Sequence, residues 1–223
     1  MIARHMTALL QNWQRSAAVL LLLLLASCHH QTLSAQADVN MQGLLPPLAF
    51  SLTDVATGQP VTAADFRGKV VMLYFGYTNC PNVCPLTLYN VTKILYALGP
   101  RAQQVNFLFV TVDPNRDTAN LLDEYLALYD APEIIGLRGP PPAINDAAMR
   151  YHASYSVSPS TDPANYTVTH TAAVYVFGPD GKAQFINAGL ATKDADLPGM
   201  TTDLRDLIDR AGQHGIIGWL SSL

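Results

Sequence analysis

Two of the three cysteines lie close together in the stretch YFGYTNCPNVCPLTLYN, residues 74–90, where Cys80 and Cys84 are separated by three residues and each precedes a proline. Paired thiolates support two chemistries, thiol–disulfide exchange and the binding of a soft metal ion. The spacing is one residue longer than the usual Cys-x-x-Cys redox pair, and the wider loop leaves room for a metal between the sulfurs. A four-cysteine zinc or iron–sulfur site is excluded within one chain, because the third cysteine, Cys28, has no companion. Nor is there a Cys-x-x-Cys-His for covalent haem. A purely structural disulfide is weakly motivated, since closing so short a loop constrains the unfolded chain little. Pro81 and Pro85 bias the preceding cysteines away from helical geometry, so both are expected to be extended or turn-like, with Pro81-Asn82 turning one thiol towards the other. Cys84 is then expected at the cap of a helix starting at Pro85, where free amides and the helix dipole lower a thiol pKa.

The elements that must position this pair follow from the apolar pattern. KVVMLYF, residues 69–75, is a continuous β-rich run of the kind buried on both faces, and the cysteines come straight after it. Leu88, Val91, Leu95 and Leu98 then share one helical face, closed by Gly99-Pro100. VNFLFVTV, residues 105–112, is a second buried strand, and the polar DPNRDT leads to a helix over about 118–129. A short strand near 134–137 and a helix near 144–151 follow. Residues 156–168, interrupted by Pro159 and Pro163, form an inserted loop or hairpin. AAVYVFGPDGKAQFINAG is a hairpin turning at Gly178–Gly181, and a last helix runs to about Arg210. Ahead of all these, AFSLTDVATGQPVTAADF forms a leading hairpin. The order β-α-β, then antiparallel hairpin and helix, gives a parallel centre with right-handed crossovers and predicts a thioredoxin-like α/β fold. Ligands of open α/β sheets bind at the C-terminal strand ends, where the cysteines sit.

Two thiolates suit Cu(I), and a trigonal site needs one more ligand, for which imidazole is well matched. His170, in NYTVTHTAAVYVF, stands immediately before the hairpin's first strand, where such a fold brings a loop over its cysteines. A lone histidine there is ordinarily a surface or core residue; the cysteines make the ligand reading the favoured one. His152 on a helix face and His214 near the end have no such company and are read as ordinary.

The chain has 223 residues, 49% apolar and 13% charged, which suits one globular domain with short extensions. Arg4 and Arg15 precede an apolar run from Ala17 to Ala26, too short for the ~20 residues of a membrane-spanning helix, so residues 1–27 read as an export signal. Leu25-Ala26-Ser27-Cys28 resembles a bacterial lipobox, in which Cys28 carries the lipid after cleavage. The expected layout is a tether over 28–47 bearing His29 and His30, a domain over 48–212 and an apolar tail over 213–223. Without its signal the chain holds 11 basic and 17 acidic residues, a net of −6, which argues against nucleic acid as partner. It is expected to be exported and lipid-anchored, facing a bacterial periplasm or the cell exterior.

YFGYTNCPNVCP, FVTVDPNRDT and VTHTAAVYVFGPDGK, in that order, resemble the signature segments of the Sco/SenC family, and the similarity runs from about Leu45 to Arg210. The resemblance implies a thioredoxin-like copper-binding protein serving cytochrome c oxidase assembly. It implies that Cys80, Cys84 and His170 hold one copper, as Cu(I) or Cu(II), and that the loaded protein supplies copper to the oxidase's dinuclear copper-site subunit or reduces that subunit's cysteines. A periplasmic copper donor and a thioredoxin-like reductase are the further partners implied. The family usually carries aspartate where this chain has Asn82; the change removes a charge beside the site but no expected ligand. Asp113 is expected either to orient the site or dock a partner, or to be a solvated loop acid. The alternatives are a metal-free thiol:disulfide oxidoreductase or peroxide-reducing relative, and a copper or redox sensor. Against the oxidoreductase, Asn79 stands where a tryptophan would precede the first cysteine, and Thr169-His170 where a cis-proline would lie. A carrier is therefore favoured over an enzyme.

Overall fold

The computed structural model describes residues 38–162 and 165–220, with side chains up to residue 211. Strands β4 (Val70–Gly76) and β5 (Val105–Thr111) form the centre, and every residue of both is buried. They pair in parallel, and β6 (Ile134–Arg138) extends the parallel set on β5. Helix α1 (Val83–Leu98) links β4 to β5, and α2 (Ala119–Ala127) links β5 to β6. On the other side of β4, β9 (Val174–Phe177) and β10 (Ala183–Asn187) form the antiparallel hairpin. The leading hairpin, β2 (Ser51–Asp54) with β3 (Pro60–Thr62), adds to β6. With β1 (Asp38–Asn40) on the far edge, the sheet runs β1-β10-β9-β4-β5-β6-β2-β3. The inserted segment is a separate two-stranded ribbon of β7 (Tyr155–Val157) and β8 (Val168–His170).

Alternation along β4 aims consecutive aromatic rings at opposite faces. Tyr74 meets Phe107 and Phe109, and Phe109 reaches Tyr125 of α2. Phe75 meets Tyr175, which packs on Tyr151 at the end of α3 (Pro141–Arg150). Burying each such side chain contributes about 1.5–3 kcal/mol, which holds the strand carrying the cysteine loop firmly in the core. Gly76 ends β4 where no larger residue fits: an added Cβ would lie 2.7 Å from the Phe109 ring and 2.8 Å from that of Tyr74.

Three boundaries differ from the expectation. The fold starts before residue 48: β1 hydrogen-bonds to β10, Met41 continues that pairing onto Gln184, and Leu45 is buried, so the open edge of β10 recruits the expected tether. Helix α1 starts at Val83 rather than Pro85, because Pro85 occupies the first turn, where its missing N–H has no intrahelical acceptor to lose. The last helix, α4 (Leu197–Leu220), passes Arg210 and takes in most of the expected tail. Its glycines at 212, 215 and 218 lower helix propensity, but no proline interrupts it there. Among the described residues no helix is long and apolar enough to cross a membrane. The signal segment, Cys28, His29 and His30 lie outside the described residues, as does the side chain of His214.

Candidate metal centre

The loop after β4 turns back through Cys80 and enters α1 at Val83, which places Cys84 inside the first helical turn. Its side chain is completely buried, with the Tyr74 hydroxyl 3.6 Å from its sulfur. Cys80 lies outside the helix, beneath the surface at 6% exposure. His170 enters from the end of β8, its Nε2 3.4 Å from the Cys84 sulfur and 3.7 Å from that of Cys80. The three ligand atoms lie within 4.8 Å of one another. Both cysteines are free thiols.

This triangle fits a small soft ion. With sulfur at ~2.3 Å and nitrogen at ~2.0 Å, the distances known for zinc, three ligands in a plane put sulfur and nitrogen about 3.7 Å apart. The observed separations need almost no adjustment. His170 is held ready for such a role: its Nδ1 lies 3.2 Å from the Thr171 carbonyl, and donation there leaves the Nε2 lone pair facing the sulfurs. Tyr74 and Tyr77 meet the ring at 86° and 88°, boxing it from two sides. Tyr77 also donates to the Val168 carbonyl at 2.9 Å and so ties β8 to the cysteine loop.

The thiols differ in the opposite sense to the one expected. Cys80 is the acidic one: the Cys84 thiol donates to its sulfur, His170 adds to this, and the backbone N–H groups of Cys84 and Asn82 point at it, outweighing burial. Cys84 is pushed far up, first by burial and then by the neighbouring Cys80 sulfur. The helix N-terminus therefore acts on the cysteine that precedes it. A residue within the first turn has its sulfur carried off to the side, into the core, while the free amides point back along the axis.

Asn82 is the exposed N-cap residue, and its side chain makes no capping bond. Asp113 touches no ligand. It is almost fully buried, pairs with Arg116 and accepts a short hydrogen bond from the Tyr166 hydroxyl. Arg116 stacks 3.7 Å from the Tyr166 ring, donates to the Tyr166 carbonyl, and lies 5.9 Å from the Tyr77 ring. Asp113 thus anchors the inserted segment behind Tyr77, and the solvated-acid alternative does not hold.

Sequence reasoning missed Asp117. It is wholly buried and accepts from the Thr78 amide at 3.1 Å, the Thr78 hydroxyl at 2.6 Å and the Thr111 hydroxyl at 2.5 Å. Those bonds fix the start of the cysteine loop against the end of β5. Tyr74 and Tyr77 were missed too, although both stand in the cysteine segment; an aromatic residue in a strand run reads first as core.

The sheet, the placement of the pair at the end of β4 and the hairpin bearing β9 define a thioredoxin-like α/β protein carrying a two-thiol, one-imidazole centre. The chain belongs to the SCO1/SenC family, whose sequence model matches residues 47–207. It is 37% identical over 134 residues to the mitochondrial protein SCO2 homolog of Mus musculus, a match covering 59% of this chain and 52% of that protein. It is 30% identical over 164 residues to the SCO2-like protein RT0576 of Rickettsia typhi, covering 73% and 80%. Against the first relatives of this kind the match spans about half of their length. Among solved structures, the copper-bound ScoI of Bradyrhizobium japonicum aligns with a TM-score of 0.64 and 34% identity, over 72% of this chain and 98% of that one. The apo Sco1 of Thermus thermophilus aligns at 0.67 and 32%, over 80% and 99%.

Proposed function

We propose that this chain is a copper metallochaperone that carries one copper on Cys80, Cys84 and His170 and passes it to the copper-site subunit of a cytochrome c oxidase. The observation that carries the reading is the convergence of two sulfurs and one imidazole nitrogen within 4.8 Å. The copper-bound state of a 34% identical relative supports it. Copper is cargo here. The Cys80 thiolate meets the ion first, Cys84 joins as its proton leaves to solvent, and the Nε2 of His170 completes the set. Release is ligand exchange onto a partner's thiolates and imidazoles, and the neutral third ligand is the one most easily displaced. Export, lipid attachment at Cys28, a periplasmic copper donor and a thioredoxin-like reductase complete the proposal. They place the centre where its thiols need a reductant to remain available.

A second reading is favoured by the split between the thiols. The Cys80 thiolate attacks a disulfide of the oxidase subunit, one partner thiolate leaves, and a mixed disulfide forms. Cys84 then attacks Cys80 as its proton is lost; the partner departs as a dithiol and this chain as a disulfide. Anaerobic Cu(I) titration of the reduced chain, beside Cys80→Ala, Cys84→Ala and His170→Ala, separates the two. One tight copper, lost in the cysteine variants and weakened in the histidine variant, supports the carrier. Copper binding no better than in a double-cysteine variant, together with disulfide cycling by a reductase, replaces it with the second reading.

A further inference from the structure

Helix α3 ends beside a surface cavity of 410 Å³ lined by Asn145, Met149, His152, Ala153, Ser154 and Tyr155. Met149 is 66% exposed, with its sulfur 3.2 Å from the Asn145 side-chain amide. His152 follows the helix with φ of 57°, a left-handed conformation that glycine adopts at no cost. The turn is tightly made: the His152 amide donates to Met149 and the Ala153 amide to Ala148. The helix end would be better served by glycine, yet it carries an exposed imidazole three residues after an exposed thioether.

That cavity adjoins the strand bearing His170. Ser154 exchanges hydrogen bonds with Thr171, at 3.0 Å to its hydroxyl and 2.9 Å from its amide. Tyr155 is the register partner of His170 across β7 and β8. We propose that Met149 and His152 form an outer site for a soft monovalent cation, Cu(I), which loads there before moving across the ribbon to Cys80, Cys84 and His170. Thioether and neutral imidazole are the donors suited to this ion, and both bind it more weakly than thiolates, so transfer inward is downhill. No electron moves: copper stays Cu(I), two neutral ligands give way to two sulfurs, and the Cys84 proton goes to solvent. The transfer step rests on the carrier reading; the outer site itself does not.

The test uses Ag(I), a redox-silent stand-in, with methyl-labelled methionine in the full chain carrying Cys28→Ala, Cys80→Ala and Cys84→Ala, so that no thiol competes for the ion. The Met149 methyl resonance is expected to shift saturably with one equivalent of Ag(I). Adding His152→Gly, which suits the left-handed backbone, is expected to weaken that binding by about tenfold or more. In the otherwise native chain, Met149→Leu is expected to slow copper uptake from a thioether-ligated Cu(I) complex several-fold and leave the final affinity unchanged. An unmoved Met149 resonance, or a shift unaffected by His152→Gly, overturns the outer site even if the native chain binds one copper tightly. A Met149 shift in a protein whose native form fails the copper titration upholds the outer site and overturns the carrier reading.

Discussion

Cys80 and Cys84 differ in depth and direction more than in chemistry. One sulfur sits in front of a helix N-terminus and receives hydrogen bonds; the other is sunk beside Tyr74. Because the Cys80 pKa is lowered, its thiolate persists as pH falls below the ordinary thiol range near 8.5. Alkylation at Cys80 should therefore be nearly flat from neutral to mildly acid pH, while Cys84 stays unreacted, as peptide mapping after iodoacetamide treatment would read. Cys84→Ala removes the strongest donor, so the Cys80 profile should move towards that of an ordinary thiol. Beside the end of the ribbon that carries His170, His152→Gly relieves the left-handed strain and should raise stability by up to about 1 kcal/mol in urea unfolding. Cys80, Cys84 and His170 were legible from residue type and spacing. Which cysteine is acidic was not, because it depends on where each sulfur lies relative to the helix axis, and the helix starts at Val83, two residues before the proline that signals it in the sequence.

The elements around the centre hold it through a few close fits. Gly76 lets the Tyr74 and Phe109 rings meet over the end of β4. Gly76→Ala should cost about 1–3 kcal/mol by overpacking and weaken copper binding through displacement of Tyr74. Tyr77→Phe leaves the Val168 carbonyl without its donor, a loss of about 1–3 kcal/mol, and frees β8 to carry His170 away from the sulfurs. Hydrogen exchange along β8 would show the second effect directly. The central strands and both crossover helices were readable because their apolar runs have a clear period. The role of Asp117 was not: DPNRDT reads as a polar loop, and only the packing of β5 against the cysteine loop turns one of its acids into a buried acceptor for three donors.

Across the whole molecule, a ligand that binds only the folded chain stabilises it. At a thousandfold excess over its dissociation constant, copper should add about 4 kcal/mol, seen as a rise in Tm that the double-cysteine variant lacks. The far edge responds to pH. Asp38 in β1 is raised to about 7 mainly by burial, with Asn187 opposing and the acids Asp203 and Asp196 reinforcing the shift. A carboxyl raised in the folded state favours folding when protonated, so the pairing of β1 with β10 should be firm in acid and loosen as pH rises through about 7. Amide exchange at residues 38–40 should accelerate over that interval. The recruitment of this segment to the sheet was not legible, since three residues carry too little pattern and the decisive term is the open edge they cover.

The ligands come from distant parts of the chain, with His170 following the cysteines by 90 and 86 residues. As the polypeptide emerges, the two thiols exist as a short chelate long before the imidazole has a place to stand. The third ligand has its place only where β8 is formed and held by Tyr77, a contact 91 residues apart in the chain whose closure costs loop entropy. The centre is therefore a check on its own completion: a half-finished chain can clutch the ion by sulfur, but only a finished one can surround it with all three ligands.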